Sequence, residues 1–286
     1  MIMFRTALFA ALLSCSFSIY AQNDQGQPER RGPAYKYVNG SYDGAHDANG
    51  ERIGFGNASV DGGGTYSGNW AHNLRNGMGK ATFPNGDRYD GQWLDDQRHG
   101  TGVYYFTKGD VYTGEFVNDI MNGKGVYRYA NGDEYTGAVQ NGQVTGIGLC
   151  RYANGERYEG DFINGLKSGK GKYYYKDGKI YEGFFAEDTK VGSGTMYFPN
   201  GDKYAGQFIN NKRSGQGTFY FANGDIYEGE FANGMMEGKG KFKWVDGDTF
   251  VGTWRANKRQ GEGTLIPKAG ETVTKIYSMG VEKESK

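Results

Sequence analysis

The side chains that could carry chemistry are few. The 286-residue chain holds three histidines, His46, His72 and His99, and two cysteines, Cys15 and Cys150. In the repeat frame described below, His72 and His99 read as loop residues, and their spacing does not make a metal pair. Two cysteines cannot build a disulfide framework or a cysteine-based zinc site. Cys150 stands where equivalent positions carry Tyr, Phe, Met or Leu, which makes it an apolar filler. Gly165-Leu166-Lys167-Ser168-Gly169-Lys170 resembles a phosphate loop, but it is one residue short between its glycines. It also precedes a strand, whereas a phosphate loop opens a helix. Aspartates recur at Asp87, Asp110, Asp133, Asp202, Asp225 and Asp248. Their units lie two strands apart, about 9.5 Å, whereas calcium ligands must converge to about 2.4 Å from the ion. These aspartates therefore read as turn residues. The expectation is a protein with no catalytic site, no cofactor and no metal.

The elements that position every other residue repeat with one period. Tyr66, Tyr89, Tyr112, Tyr135, Tyr158, Tyr181, Tyr204, Tyr227 and Phe250 are each 23 residues apart. Counting this aromatic residue as position 1, glycine fills positions 3, 12, 14 and 21 of all nine units. That accounts for most of the 50 glycines. With 23 Tyr, 17 Phe and 4 Trp the chain is too aromatic to be disordered, and no Gly-X-Y triplet suggests collagen. A further unit begins at Tyr42-Asp43-Gly44, with a first half one residue longer, as terminal repeats often are atypical. At the other end Pro267 replaces an aromatic residue and suits an edge strand.

Each unit reads as a β-hairpin. Asn85-Gly86, Asn131-Gly132, Asn154-Gly155, Asn200-Gly201 and Asn223-Gly224, with Asp177-Gly178 and Asp246-Gly247, separate the apolar runs. Such pairs favour either a type I′ turn or a type I turn with a glycine bulge, and the sequence leaves both open. Strand alternation places positions 1, 3, 5, 14, 16 and 18 on one aromatic face, where rings pack over glycines. The other face is charged, with acids such as Glu159 and Glu182 on first strands and bases such as Lys80 and Lys172 on second strands. Opposite charges on neighbouring strands favour cross-strand pairs.

The unit Tyr158-Glu159-Gly160-Asp161-Phe162-Ile163-Asn164-Gly165, followed by Gly169-Lys170-Gly171, resembles a MORN (membrane occupation and recognition nexus) repeat. So does Tyr227-Glu228-Gly229-Glu230-Phe231-Ala232-Asn233-Gly234. The resemblance implies an all-β, elongated, single-layer antiparallel sheet of about ten hairpins over residues 42–272. It also implies a protein-binding scaffold, with lipid binding proposed for some members.

Residues 1–21 read as an export signal: Arg5 near the start, an apolar run over Thr6 to Leu13, and cleavage after Ala21. Leu12-Leu13-Ser14-Cys15 also fits a bacterial lipobox, which would lipidate Cys15. Residues 22–41 read as a polar linker and 273–286 as a C-terminal tail. Lys plus Arg equals Asp plus Glu at 33 each, which argues against a nucleic-acid binder. The expected partner is a protein or peptide, with lipid head groups, a glycan or a second copy as alternatives. For lipid, the best argument is a basic column at position 10, assigned to a loop: Arg75, Arg98, Lys167, Lys190, Arg213 and Arg259. For a protein, the expected contact is an accessible part of the column Trp70, Trp93, Phe116, Phe162, Phe185, Phe208, Phe231 and Trp254 at position 5. The face is expected to stay open because the chain offers no second layer to cover it.

Overall fold

The computed structural model describes residues 40–60 and 62–283. The leader-like segment and Cys15 lie outside the described residues. Twenty-two strands, from β1 (Tyr42–His46) to β22 (Val281–Lys283), form one antiparallel sheet, and no helix occurs among the described residues. Every strand pairs with the next in sequence, so the sheet is a continuous meander.

The two strands beyond the twenty expected fall in the segment read as a tail. β21 (Val273–Ser278) pairs with β20 (Lys258–Ile266), and Tyr277 is buried against Phe250 at 5.3 Å between ring centroids. Tyr277 stands 23 residues after Trp254, so it is the position-5 ring of a further unit. Val273 and Lys275 occupy the places of that unit's tyrosine and glycine, which hid it. At the other end the longer first half appears as a register shift after Gly44 and a wide turn closed by the Asp47 carboxylate.

The unit made of β11 (Arg157–Ile163) and β12 (Leu166–Tyr174) shows why the glycine columns exist. Tyr158 pairs with Tyr173 and Gly160 with Gly171, after which the register jumps so that Phe162 faces Lys167. This bulge sets one residue of the first strand against three of the second. Gly169 takes it up at a φ of 63°, a conformation that glycine reaches without strain. The Tyr158 ring lies flat over Gly160 and Gly171, where any β carbon would collide with it. Its phenol then donates to the carbonyl of Asp161, 3.0 Å away, at the bulged residue. Eight other units repeat this bond at 2.9–3.2 Å. On the charged face the position-4 side chain closes the same bulge: the Lys170 N–H donates to the Asp161 carboxylate, as Lys124 N–H does to Glu115.

The ninth unit has Phe250 and lacks this phenol bond. Phe250→Tyr is expected to restore it and raise stability by ~1 kcal/mol. A urea midpoint that does not rise would show that the bond contributes nothing at this end.

Two kinds of turn alternate. Positions 7 and 8 both have positive φ, as in Asp95 (47°) and Asp96 (66°) or Glu187 (46°) and Asp188 (64°). These are two-residue type I′ turns, and they join the strands within a unit. At the Asn-Gly and Asp-Gly sites that end each unit only the glycine is left-handed, Gly86 at 87° for example. There the Gly86 N–H donates to the Phe83 carbonyl and the Phe83 N–H to that of Asp87. This is the type I turn with a glycine bulge, and it links one unit to the next.

The aspartates hold those linking turns together. Asp87 accepts from the Thr107 N–H at 2.8 Å and from the Tyr104 phenol at 2.7 Å. Asp110 does the same with Ala130 and Tyr127. Asp133, Asp202, Asp225 and Asp248 each bond the corresponding N–H of the next turn. Each carboxylate thus staples its turn to the following one.

Candidate functional site: the aromatic and cationic face

The position-5 column is where the expectation of an open contact surface fails. Trp70, Trp93, Phe116, Phe162, Phe185, Phe208, Phe231 and Trp254 are all buried, none more than 7% exposed. The reason is mutual packing. Tyr158 meets Phe162 of its own unit and Phe185 of the next edge-on, both at 5.1 Å. Tyr181, Tyr204 and Tyr227 repeat the pattern with 4.9–5.3 Å separations. Edge-to-face pairs of this kind add roughly 0.5–1.5 kcal/mol each beyond burial. The column is therefore the core. It is interrupted at Val139, which stands in the position-5 column and carries no ring.

What the face shows to solvent is a different row. Phe83, Phe106, Tyr129, Tyr152, Tyr175, Phe198, Phe221 and Trp244 at position 18 are half-buried and pack on that core. Between them come the position-10 cations. These are strand residues and not loop residues, because the preceding type I′ turn is only two residues long. The register jump sets each opposite its position-5 ring, as in Trp93 with Arg98 or Phe208 with Arg213. The Arg98 guanidinium lies 5.0–5.7 Å from the Phe83, Tyr104 and Phe116 rings. Arg213 makes the same approach to Phe198, Phe219 and Phe231 at 5.2–6.0 Å. The sequence reading missed this arrangement; the spacing from position 5 to position 10 held its only trace.

Three of the six cations are neutralised within the chain, each by an aspartate at position 8 of the following unit. Arg75 pairs with Asp96 at 3.0 Å, Arg98 with Asp119 at 3.0 Å and Lys167 with Asp188 at 2.8 Å. Arg75 and Lys167 are buried in doing so. Behind Lys190, Arg213 and Arg259 the same place holds Asn211, Gly234 and Gly280. The Lys190 ammonium donates to the Tyr175 phenol at 2.7 Å, and Arg213 donates to the Gly234 carbonyl. Burial brings the Lys190 pKa down to about 8, with Lys179 adding a smaller push, and burial also lowers that of Arg213. Arg259 lies 4.1 Å from the Tyr277 ring and donates to its hydroxyl.

The opposite face is polar. Lys80 and Asp90 pair across the ladder at 3.0 Å, and Lys172 and Glu182 at 3.4 Å, as the charge pattern required. Its tyrosines are capped by cations: Arg88 lies over Tyr105, Arg157 over Tyr174 and Lys203 over Tyr220 at 4.0–5.0 Å. Two shallow grooves of about 660 and 720 Å³ run over this face. Along the type I′ edge, Leu94, Val117, Ile163 and Ile209 at position 6 form an exposed apolar stripe.

The residues singled out for chemistry do not gather. No group of three or more metal-ligating side chains occurs among the described residues. His72 sits in a turn beside Glu51, whereas His99 lies within β6 (Gln97–Tyr105) and not in a loop. Cys150 is fully buried, and burial pushes its thiol up to about 12, so it stays protonated and inert. No helix among the described residues is long and apolar enough to cross a membrane.

Hairpins stacked in this way, hydrogen-bonded strand to strand and packed ring on ring, define a linear β-hairpin repeat array. The MORN repeat model matches nine consecutive segments, from 66–88 to 250–266, and the chain belongs to the MORN-repeat family. No curated protein matches the chain. Among solved structures, the chain aligns with the wild-type TCP10 domain of Danio rerio CPAP in complex with a peptide of Danio rerio STIL. That alignment has 13% identity, 86% of this chain, 100% of that chain and a TM-score of 0.41. It also aligns with the SAS-4 (dCPAP) TCP domain of Drosophila melanogaster in complex with a proline-rich motif of Ana2 (dSTIL). There the identity is 19%, the coverage 53% and 83%, and the TM-score 0.36. Likeness at this level says nothing about what this chain binds.

Proposed function

We propose that the chain is a non-catalytic scaffold, acting outside the cytoplasm, that binds a segment of another protein along its aromatic and cationic face. The observation that carries this reading is the half-buried position-18 row alternating with arginines and lysines. Aromatic and arginine side chains supply most of the energy at protein interfaces, and here the rigid sheet holds them in place before a partner arrives. The lipid reading is weaker, because aspartates cancel three of the six cations on which it relied. Sugar stacking on the opposite face is weaker too, because cations already cover the Tyr105, Tyr174 and Tyr220 rings. Export rests on residues 1–21 and is checked by the N-terminal sequence of protein recovered from the envelope or medium.

The binding test compares two double variants for capture of a partner from the envelope fraction of the source. Tyr175→Ser with Phe221→Ser is expected to lose the partner while strand content, read by circular dichroism, is retained. Tyr105→Ser with Tyr174→Ser on the other face is expected to keep it. The reverse outcome places the site on the polar face, and hydrolase or transferase activity mapping within the repeats defeats the non-catalytic reading.

A further inference from the structure

The six cations at position 10 of the regular units sit in equivalent places, yet they divide into two sets. At Lys167 the carboxylate of Asp188 accepts from both the backbone N–H, at 3.0 Å, and the ammonium, at 2.8 Å. At Lys190 the side chain of Asn211 accepts from the backbone N–H at 2.9 Å, so the backbone half of the arrangement is kept and the charge is missing. At Arg213 the position is Gly234, which brings no side chain at all. No carboxylate among the described residues lies within ion-pair distance of Lys190 or Arg213. Burying a cation without a counter-charge is unfavourable, and a ligand that brings the anion removes that penalty.

We propose that Lys190 and Arg213 form the binding site for an acidic, extended segment of a partner protein, which supplies in trans the two carboxylates that aspartates supply elsewhere in cis. This rests on the reading that the aromatic face binds protein. The two cations lie on β14 (Thr189–Tyr197) and β16 (Lys212–Tyr220). Being two strands apart, they are about 9.6 Å from one another. A polyproline II chain rises about 3.1 Å per residue with three residues per turn, so side chains three apart point the same way at about 9.3 Å. An acidic residue at every third place of such a segment therefore matches the array unit for unit. The half-buried rings of Tyr175, Phe198 and Phe221 flank the two cations and offer the apolar side chains of that segment a surface. A flat membrane surface would be met best by charge along the whole column, whereas here aspartates already hold Arg75, Arg98 and Lys167.

The test uses the full chain and a synthetic peptide of repeated Pro-Pro-Glu, with a Pro-Pro-Lys repeat as the control, followed by calorimetry at low salt. The acidic peptide is expected to bind and the basic one not to. Lys190→Met with Arg213→Met should weaken binding about tenfold or more. Asn211→Asp should weaken it comparably with both cations still present, since it copies the Asp188 arrangement onto Lys190. Asp188→Asn should strengthen it by freeing Lys167. Equal affinity for both peptides, or affinity indifferent to Asn211→Asp and to the double Met variant, overturns the proposal. So does binding of anionic phosphatidylserine vesicles through these cations when the acidic peptide fails. If the face variants lose the natural partner while these charge variants keep it, the acidic segment is wrong and the scaffold reading stands.

Discussion

Alkaline titration is expected to unfold the array steeply, with a midpoint near pH 11. Tyr89, Tyr112, Tyr135, Tyr158, Tyr181, Tyr204 and Tyr227 form one column, each at most 1% exposed. Burial is the largest cause raising every one of their pKa values, which reach about 12 for Tyr112, Tyr181 and Tyr204 and higher for the others. A phenol whose folded pKa exceeds its unfolded value of about 10 contributes stability that is complete below pH 10 and is lost as pH rises through the folded pKa. At pH 11 each tyrosine gives up ~1.4 kcal/mol, and seven together about 10 kcal/mol. That matches the whole stability of an ordinary domain, about 5–15 kcal/mol. Lys190 works in the opposite sense at lower pH. Its folded pKa of about 8 is depressed, so the strain of its buried charge is relieved as pH rises toward the ordinary lysine value. The tyrosinate absorbance of these seven and the circular dichroism should therefore change together. Ionisation of all the chain's tyrosines with an unchanged fold would show that these phenols ionise in place.

Gly171→Ala is expected to destabilise the chain by ~3 kcal/mol, at the upper end of overpacking effects. A β carbon at this position would fall inside contact distance of Tyr158 Cε2, Cζ and Oη. The ring cannot tilt away without leaving the Asp161 carbonyl and disturbing its edge contacts with Phe162 and Phe185. Gly155→Ala separates space from backbone strain. Gly155 has a φ of 91° and nothing within 4 Å of a β carbon, so alanine there meets only the left-handed backbone cost of ~1 kcal/mol. Urea titrations of the two variants should differ by about 2 kcal/mol. Equal losses would show that the tyrosine ring is not held against the sheet.

The 23-residue period, the placing of Tyr158 and Tyr173 on one face and the packing of rings over glycines were all legible, because side-chain alternation and missing β carbons leave a fixed imprint on sequence. The turns were not. Asn-Gly is the strongest hairpin signature, yet inside the units it makes the type I′ turn only at Asn141-Gly142, Asn164-Gly165 and Asn233-Gly234, and elsewhere pairs such as Glu187-Asp188 and Ala256-Asn257 take its place without a glycine. Without those turns the position-10 cations looked like loop residues and their aspartate partners like surface charge. The position-5 column looked open because alternation gives a side chain's direction and not what covers it. Its cover is the ring of the neighbouring unit, a contact between residues 23 or more apart in the chain.

The pairing of position 8 with position 10 of the preceding unit makes the array a written record. Each unit that bears a cation holds one binary value, off where the next unit supplies Asp, as at Asp96, Asp119 and Asp188, and on where it supplies Asn or Gly, as at Asn211, Gly234 and Gly280. The units with Met121, Val144 and Met236 are blanks, and none is followed by an aspartate at that place. A single substitution flips one value, leaves the strands untouched and shifts the message by a fixed step of about 9.6 Å. Copying or deleting a unit lengthens or shortens the text without rewriting the rest. A protein built this way can change what it reads as quickly as its aspartates mutate, while the ring column that keeps it folded stays as it is.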